Sequence, residues 1–174
     1  MAAQILATLR GGLGANFAGL TSISGQPTLV LSYANSGVVD TEGVDVAVNY
    51  YISSRWLAEA SYSWFDFTVQ SKRTGDQLLP NGPENKYTLG LSYSAIKFNA
   101  SLKYRSVEGF PWAAGVFVGN VPSYDVVDLG VVYNINANWQ LGLDVSNLLD
   151  DEHFESFGGD LLSRRALASV AFSW

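Results

Sequence analysis

Counted back from the last residue, Trp174, Phe172, Val170, Ala168 and Ala166 share one parity, and Ser173, Ala171, Ser169, Leu167 and Arg165 share the other. A period of two predicts a β-strand with one oily face and one mostly small or polar face. The same alternation recurs upstream. Trp139 to Val145 alternates with Gln140 to Ser146, Val127 to Tyr133 with Asp128 to Asn134, and Phe98 to Tyr104 with Asn99 to Arg105. It continues in Tyr87 to Tyr93 against Lys86 to Ser92, Trp56 to Trp64 against Leu57 to Phe65, and Val44 to Ile52 against Asp45 to Tyr51. A further strand is predicted over Pro27 to Tyr33, whose oily residues Leu29, Leu31 and Tyr33 sit on odd positions. The next oily set is even, so a bulge or a loop must fall within Ala34 to Gly43, and the count is seven or eight strands.

Segments of roughly ten residues with this pattern fit a soluble sandwich or a membrane barrel. The aromatic positions favour the barrel. Tyr50, Trp56, Trp64, Tyr87, Tyr93, Phe98, Tyr104, Tyr133, Trp139, Phe172 and Trp174 lie at the ends of the oily faces, with Val, Leu and Ala between them. Amphipathic rings suit the two membrane–water interfaces, whereas a sandwich core tends to hold its largest rings centrally. The connections alternate in length: Ser53 to Arg55, Ser94 to Lys97 and Ile135 to Asn138 are short, and Phe67 to Asn85, Ser106 to Ser123 and Asn147 to Ser163 are long. The expected fold is therefore all-β, an antiparallel transmembrane β-barrel segment with short periplasmic turns and long extracellular loops. Residues 1–26 are expected to form an N-terminal loop or short helix, the remnant of an extracellular loop with a helix over Ala3 to Arg10, and residues 27–174 the barrel strands.

Composition agrees with spanning by strands. Of 174 residues, 48% are hydrophobic and 15% charged, yet no run approaches the roughly 20 apolar residues of a spanning helix. Strands in lipid must pair their backbone groups laterally. The net charge of −6 argues against a nucleic-acid partner, which requires a basic face. Zero cysteine excludes a disulfide framework and thiolate metal sites. Met1 to Gly25 is interrupted by Gly11, Gly12 and Gly14 and lacks a basic start followed by an unbroken apolar stretch, so it does not read as a secretory signal. The expectation is that a leader has been removed, or that the chain is a fragment with an added Met.

Several short motifs, taken in order, point to a family. Asn35-Ser36-Gly37 and Thr41-Glu42-Gly43-Val44-Asp45 precede Ala60-Ser61-Tyr62-Ser63, and a Pro-containing loop precedes Lys86-Tyr87. Val127-Asp128-Leu129-Gly130 and Asn147-Leu148-Leu149-Asp150 follow, then a Gly-containing loop and Arg164-Arg165. From about Leu29 onward this set resembles, in order and spacing, the C-terminal barrel of TonB-dependent outer-membrane receptors. The resemblance implies outer-membrane location and uptake of siderophore, vitamin or saccharide ligands. It also implies a plug domain and TonB as partners, neither of which is read in this sequence, along with outer-membrane lipid and the rest of the barrel as another segment. It further implies that the barrel-assembly machinery recognises the last strand through Val170, Phe172 and Trp174. The family's barrels are larger than seven or eight strands, so an autonomous barrel of about eight strands with a structural or adhesion role stands as the alternative.

Residues that carry chemistry are few. His153 is the single histidine, beside Asp150, Asp151, Glu152 and Glu155 in a loop that reads as solvated and outward-facing. With one His and no Cys, neither a His-based metal site nor a catalytic triad has support, and neither cofactor nor enzymatic activity is expected. The inward set is Asp45, Asn49, Glu59, Lys86, Lys103, Arg105, Asp128, Gln140, Asp144 and Arg165, interspersed with Gly90, Ser92, Ser101, Gly130, Gly142 and Ser146. So many small residues suggest a wall facing another part of a larger protein. The loop Ser106 to Ser123 carries Phe110, Pro111, Trp112, Phe117 and Val118, which either grip a ligand or bury their rings in one another. Lys72, Arg73 and Arg105 are available to anionic ligands. The candidate ligand contacts are Phe110, Trp112, Phe117, Arg105 and Arg165.

Overall fold

The computed structural model describes residues 20–23, 26–29, 35–114 and 117–174. Eleven strands run in chain order: β1 (Leu20–Ile23), β2 (Gln26–Leu29), β3 (Gly37–Tyr51), β4 (Trp56–Lys72), β5 (Asn85–Ser94), β6 (Phe98–Val107), β7 (Phe110–Ala114), β8 (Phe117–Val121), β9 (Tyr124–Asn134), β10 (Trp139–Ser146) and β11 (Arg165–Phe172). Seven of them form one antiparallel sheet in the order β11-β10-β9-β6-β5-β4-β3, so each neighbour in space is the next long strand in sequence. Strands β7 and β8 form a hairpin inserted between β6 and β9.

Three expectations change. Of the strand expected over Pro27 to Tyr33, the described part, Pro27 to Leu29, lies in β2, which pairs with β1 and not with the seven-stranded sheet, from Leu20 opposite Leu29 to Ile23 opposite Gln26. Part of the expected N-terminal loop is thus a strand, built where Thr21, Ile23 and Thr28 supply β-branched residues. Residues Leu31 and Tyr33, and the helix expected over Ala3 to Arg10, lie outside the described residues. The loop read as starting at Phe67 starts later, because β4 runs on to Lys72 opposite Gly37. Its register shifts between Val38 and Val39, inside the span where a bulge or loop was expected.

The register sorts the side chains. Tyr50, Ala58, Leu91, Leu102, Leu129, Val145 and Ala166 lie in one row across all seven strands, and Trp56, Tyr93, Ala100, Val131, Leu143 and Ala168 in the next. Among the described residues nothing covers this aliphatic face: Val44, Val48, Leu89 and Val170 are each more than half exposed. A sandwich would bury such a face against a second sheet, and among the described residues no such sheet lies on it. Near the short turns the face ends in Trp56, Tyr93, Phe98, Trp139 and Phe172, with Trp56 4.9 Å from Tyr93 and Trp139 4.8 Å from Phe172 between ring centroids. Toward the long loops it ends in Tyr62, Tyr87 and Tyr104, the last two 6.0 Å apart. Trp56 and Trp64, eight residues apart, span about 27 Å along their strand, which a barrel tilt brings close to the apolar band of an outer membrane.

The opposite face is polar and thinly covered. Ser101, Gly130 and Asp144 occupy adjacent positions in one row, and a Cβ at Gly130 would lie 2.9 Å from Ser101 Oγ. Among the described residues the edge strands β3 and β11 are not paired with each other, so the sheet is an open arc. The alternative of a self-closed barrel of about eight strands is therefore not what the described strands form.

Because the two faces meet different media, they should tolerate charge differently. Leu91→Arg is expected to destabilise the folded sheet by about 2–4 kcal/mol, and Ser92→Arg on the polar face far less. Denaturant unfolding in phospholipid vesicles checks the difference.

Candidate functional site

At the long-loop end the connections assemble into one body. Phe110 pairs with Val121 and Trp112 with Gly119 across the β7–β8 hairpin. Beneath it lies the principal buried cluster of the described residues, Val107, Phe110, Val121, Tyr124 and Val126, with Trp112 packed against it. Val121 is fully buried. Of the two roles open to this loop's rings, Phe110 takes the buried one; its ring stands 6.3 Å from that of Trp112, which stays partly exposed. Nothing is described of the Phe117 side chain.

The hairpin is tied on both sides. Asn81 donates from Nδ2 to the Ala113 carbonyl at 2.9 Å and accepts the Ala113 amide at Oδ1 at 2.8 Å, joining the loop after β4 to β7. On the other side the ring of Phe157 lies on Gly119, where any Cβ would collide with it. Glycine is thus required at position 119 for close approach.

The loop between β10 and β11 is closed by its first and last residues. Asn147 and Asp150 adopt left-handed backbone angles of 54° and 60°, which Asn and Asp tolerate better than other side chains. Asn147 is buried, donates from Nδ2 to the Asp151 carbonyl at 2.9 Å and accepts the Asp151 amide at 3.0 Å. Its own amide donates to Asp128 Oδ1 at 3.0 Å. Asp150 accepts the Arg164 amide at 2.8 Å and pairs with the Arg164 guanidinium at 3.3 Å. The Asn-Leu-Leu-Asp stretch and the first arginine of Arg164-Arg165 are therefore one clasp.

His153 departs from the solvated outward loop expected of it. It is buried, and its ring stacks on Tyr124 at 4.3 Å between centroids. Nδ1 sits 2.7 Å from the Asp151 carbonyl, which can only accept, so Nδ1 carries the donated proton. Nε2 lies 3.7 Å from Glu155 Oε1, which also meets Arg105 Nη2 at 3.3 Å. Beyond the aromatic band, burial pushes the Tyr124 phenol up from its ordinary pKa, the nearby Glu155 adds to this, and Arg105 offsets part of it. The Arg105–Glu155 pair is itself about 40% exposed on each side, weak enough to exchange partners.

On the polar face Asn49, Glu59, Gly90, Lys103 and Asp128 occupy one cross-strand row. No ion pair within 4.0 Å joins Lys103 to Glu59 or Asp128, although Asp128 stands directly opposite Lys103. Lys103, Asp128, Asp144 and Arg165 line a shallow cleft of about 340 Å³. Arg105 thus stands at the upper rim and Arg165 lower on the wall, so the candidate ligand contacts do not converge on one point.

The family described as TonB dependent receptor-like, beta-barrel matches residues 9–148. The chain belongs to the TonB-dependent receptor family. That membership places it in the outer membrane of a Gram-negative bacterium. A relative in Acinetobacter baumannii, the probable TonB-dependent siderophore receptor PiuA, is 26% identical over 170 residues, 82% of this chain and 22% of that protein. The crystal structure of PiuA superposes with a TM-score of 0.60 at 23% identity, over 77% of this chain and 22% of the receptor. The closed form of the ferric-catecholate import receptor Fiu from E. coli gives 0.64 at 21% identity, over 88% and 23%. The chain spans about a fifth of the length of these relatives.

The residues expected to serve assembly lie on the aliphatic face of β11, at the edge of the described sheet. Val170 opposes Leu141, Phe172 opposes Trp139, and Trp174 is fully exposed beyond them. Sequence reasoning missed Asn81, Asn147 and Arg164 as structural clasps; the Asn-Leu-Leu-Asp motif was the available signal for the last two. Asn147→Ala, which removes two side-chain hydrogen bonds and a tolerated left-handed residue, is expected to cost about 2–3 kcal/mol. Asn147→Gly should recover only the backbone part, and tryptophan-monitored unfolding of the two variants distinguishes the contributions.

Proposed function

We propose that this chain is the C-terminal arc of the barrel of a TonB-dependent receptor that takes up ferric siderophores. The observation that carries the reading is the open seven-stranded sheet with a bare aliphatic face and a row of unpaired charges on the other. Such an arc needs lipid on one side, further strands at both edges, and a polar body on the inside. Additional barrel strands meet β3 and β11, and a plug domain covers Glu59, Lys103, Asp128 and Arg165. The barrel-assembly machinery docks on Val170, Phe172 and Trp174. The short turns face the periplasm and the long loops face outward. The siderophore assignment follows PiuA, a probable TonB-dependent siderophore receptor, and Fiu, a ferric-catecholate import receptor; neither supports vitamin or saccharide ligands.

In this reading the outer loops act as a pre-assembled ligand platform. Trp112 offers a ring at the exposed side of the hairpin, and Arg105 an anion contact when Glu155 yields it. Arg165 contributes lower on the wall, toward the plug. Phe110 supports Trp112 from the core instead of touching ligand.

Uptake of a ferric tris-catecholate complex labelled with radioactive iron, in cells with and without TonB, tests the function. Energy-dependent uptake that disappears without TonB is expected, with Arg105→Ala or Trp112→Ala each weakening binding about tenfold, roughly 1.4 kcal/mol. TonB-independent uptake, or transport of a bare metal ion with no siderophore bound, contradicts it.

A further inference from the structure

The aliphatic face is not uniformly filled. Near the short turns it holds a groove of about 350 Å³ whose walls are Trp56, Leu91, Tyr93, Phe98 and Leu102, with Ala100 among them. Ala100 is opposite Tyr93 on one side and Val131 on the other, and follows Phe98 and precedes Leu102 along its own strand. It supplies one methyl where each of these neighbours is larger, which leaves a trough between rings. Trp56 and Tyr93 stand 4.9 Å apart, and Tyr93 and Phe98 6.1 Å apart, so three rings line its lower end.

The short turns next to these rings carry two cations. Arg55 precedes Trp56, and its carbonyl accepts the Ser94 amide at 2.8 Å, which holds the turn after β3 against the end of β5. Lys97 precedes Phe98 in the turn that follows β5. Both are exposed, and among the described residues neither forms an ion pair. No acidic side chain accompanies them: none of the 16 Asp and Glu residues falls within 46–58, 85–107, 129–143 or 161–174. In a chain of net charge −6, two unpaired cations without acidic company next to an apolar trough are a local reversal of sign.

Hydrocarbon in the trough and negative charge at the turns are the two halves of one amphiphile, and long basic side chains reach headgroup level while their stems stay in apolar surroundings. We infer that this groove is a binding site for an anionic glycerophospholipid of the periplasm-facing leaflet. One acyl chain lies over Ala100 between the rings, and the headgroup phosphate meets Arg55 and Lys97. The site is continuous with the lipid-facing belt, which supplies the chemistry of its occupant. It rests on the orientation proposed above, with short turns toward the periplasm.

Native mass spectrometry tests it on the protein extracted from outer membranes in the assembly in which it spans them, delipidated and titrated with dioleoylphosphatidylglycerol or dioleoylphosphatidylcholine. One phosphatidylglycerol should be retained at least fivefold more strongly than phosphatidylcholine. Joint replacement Arg55→Gln and Lys97→Gln should abolish that preference, and Ala100→Phe, which fills the trough, should remove the retained lipid while heat-modifiable gel mobility stays unchanged. Equal retention of the two lipids by the unaltered protein, or undiminished preference in the double variant, overturns the site. Lys97→Cys in intact cells separates the two levels: labelling by a membrane-impermeant maleimide overturns the orientation, whereas protection from the reagent together with absent lipid preference overturns the site alone.

Discussion

In a bilayer a backbone amide has no water to fall back on, and lateral hydrogen bonding between strands is the constraint from which the rest of this structure follows. It forces the seven long strands into one antiparallel sheet, and the antiparallel register then fixes which residues share a row. Leu102 stands between Leu91 and Leu129, and Lys103 between Gly90 and Asp128. A shift of one residue would put the lysine row into lipid and the leucine row against polar neighbours, so the two-faced sequence and the register enforce each other. The same constraint makes β3 and β11 significant, since each presents one unpaired edge among the described residues.

Away from the bilayer the rules change from lateral pairing to ordinary burial. The outer loops have water above them and can hold a small core, so Val107, Phe110, Val121, Tyr124 and Val126 cluster there and nowhere else among the described residues. Asn81, Asn147 and Arg164 satisfy loop backbone groups that no ladder reaches. The sheet below and the clasped loops above fix the backbone that carries the partly exposed Trp112 and Arg105, which the proposed function treats as a ligand platform.

The strands were legible because a period of two survives wherever lipid lies on one side. The bounds expected from Trp139 to Ser146 and from Phe98 are those observed, and the last strand differs only in stopping at Phe172. The family was legible for a related reason: Asn147-Leu148-Leu149-Asp150 with Arg164-Arg165 is a motif because its clasp needs left-handed Asn and Asp and a returning guanidinium. What stayed hidden depends on contacts between distant segments. The hairpin strands β7 and β8 are five residues each, and Pro111 obscures the first. The burial of His153 requires Tyr124, which lies 29 positions earlier and sends no local signal. Likewise, Gly119 shows as one more glycine until Phe157 is seen lying on it.

The central claim is that this sheet is a membrane wall with lipid on one face and a polar interior on the other. The chain has no cysteine, so single cysteines can be placed at each position from Lys86 to Tyr93 and spin-labelled in the outer membrane. Collision rates with oxygen, which concentrates in hydrocarbon, should then alternate with a period of two, high at Tyr87, Leu89, Leu91 and Tyr93 and low at Thr88, Gly90 and Ser92. A flat profile, or maxima on the even positions, would contradict the assignment of faces and with it the membrane arc.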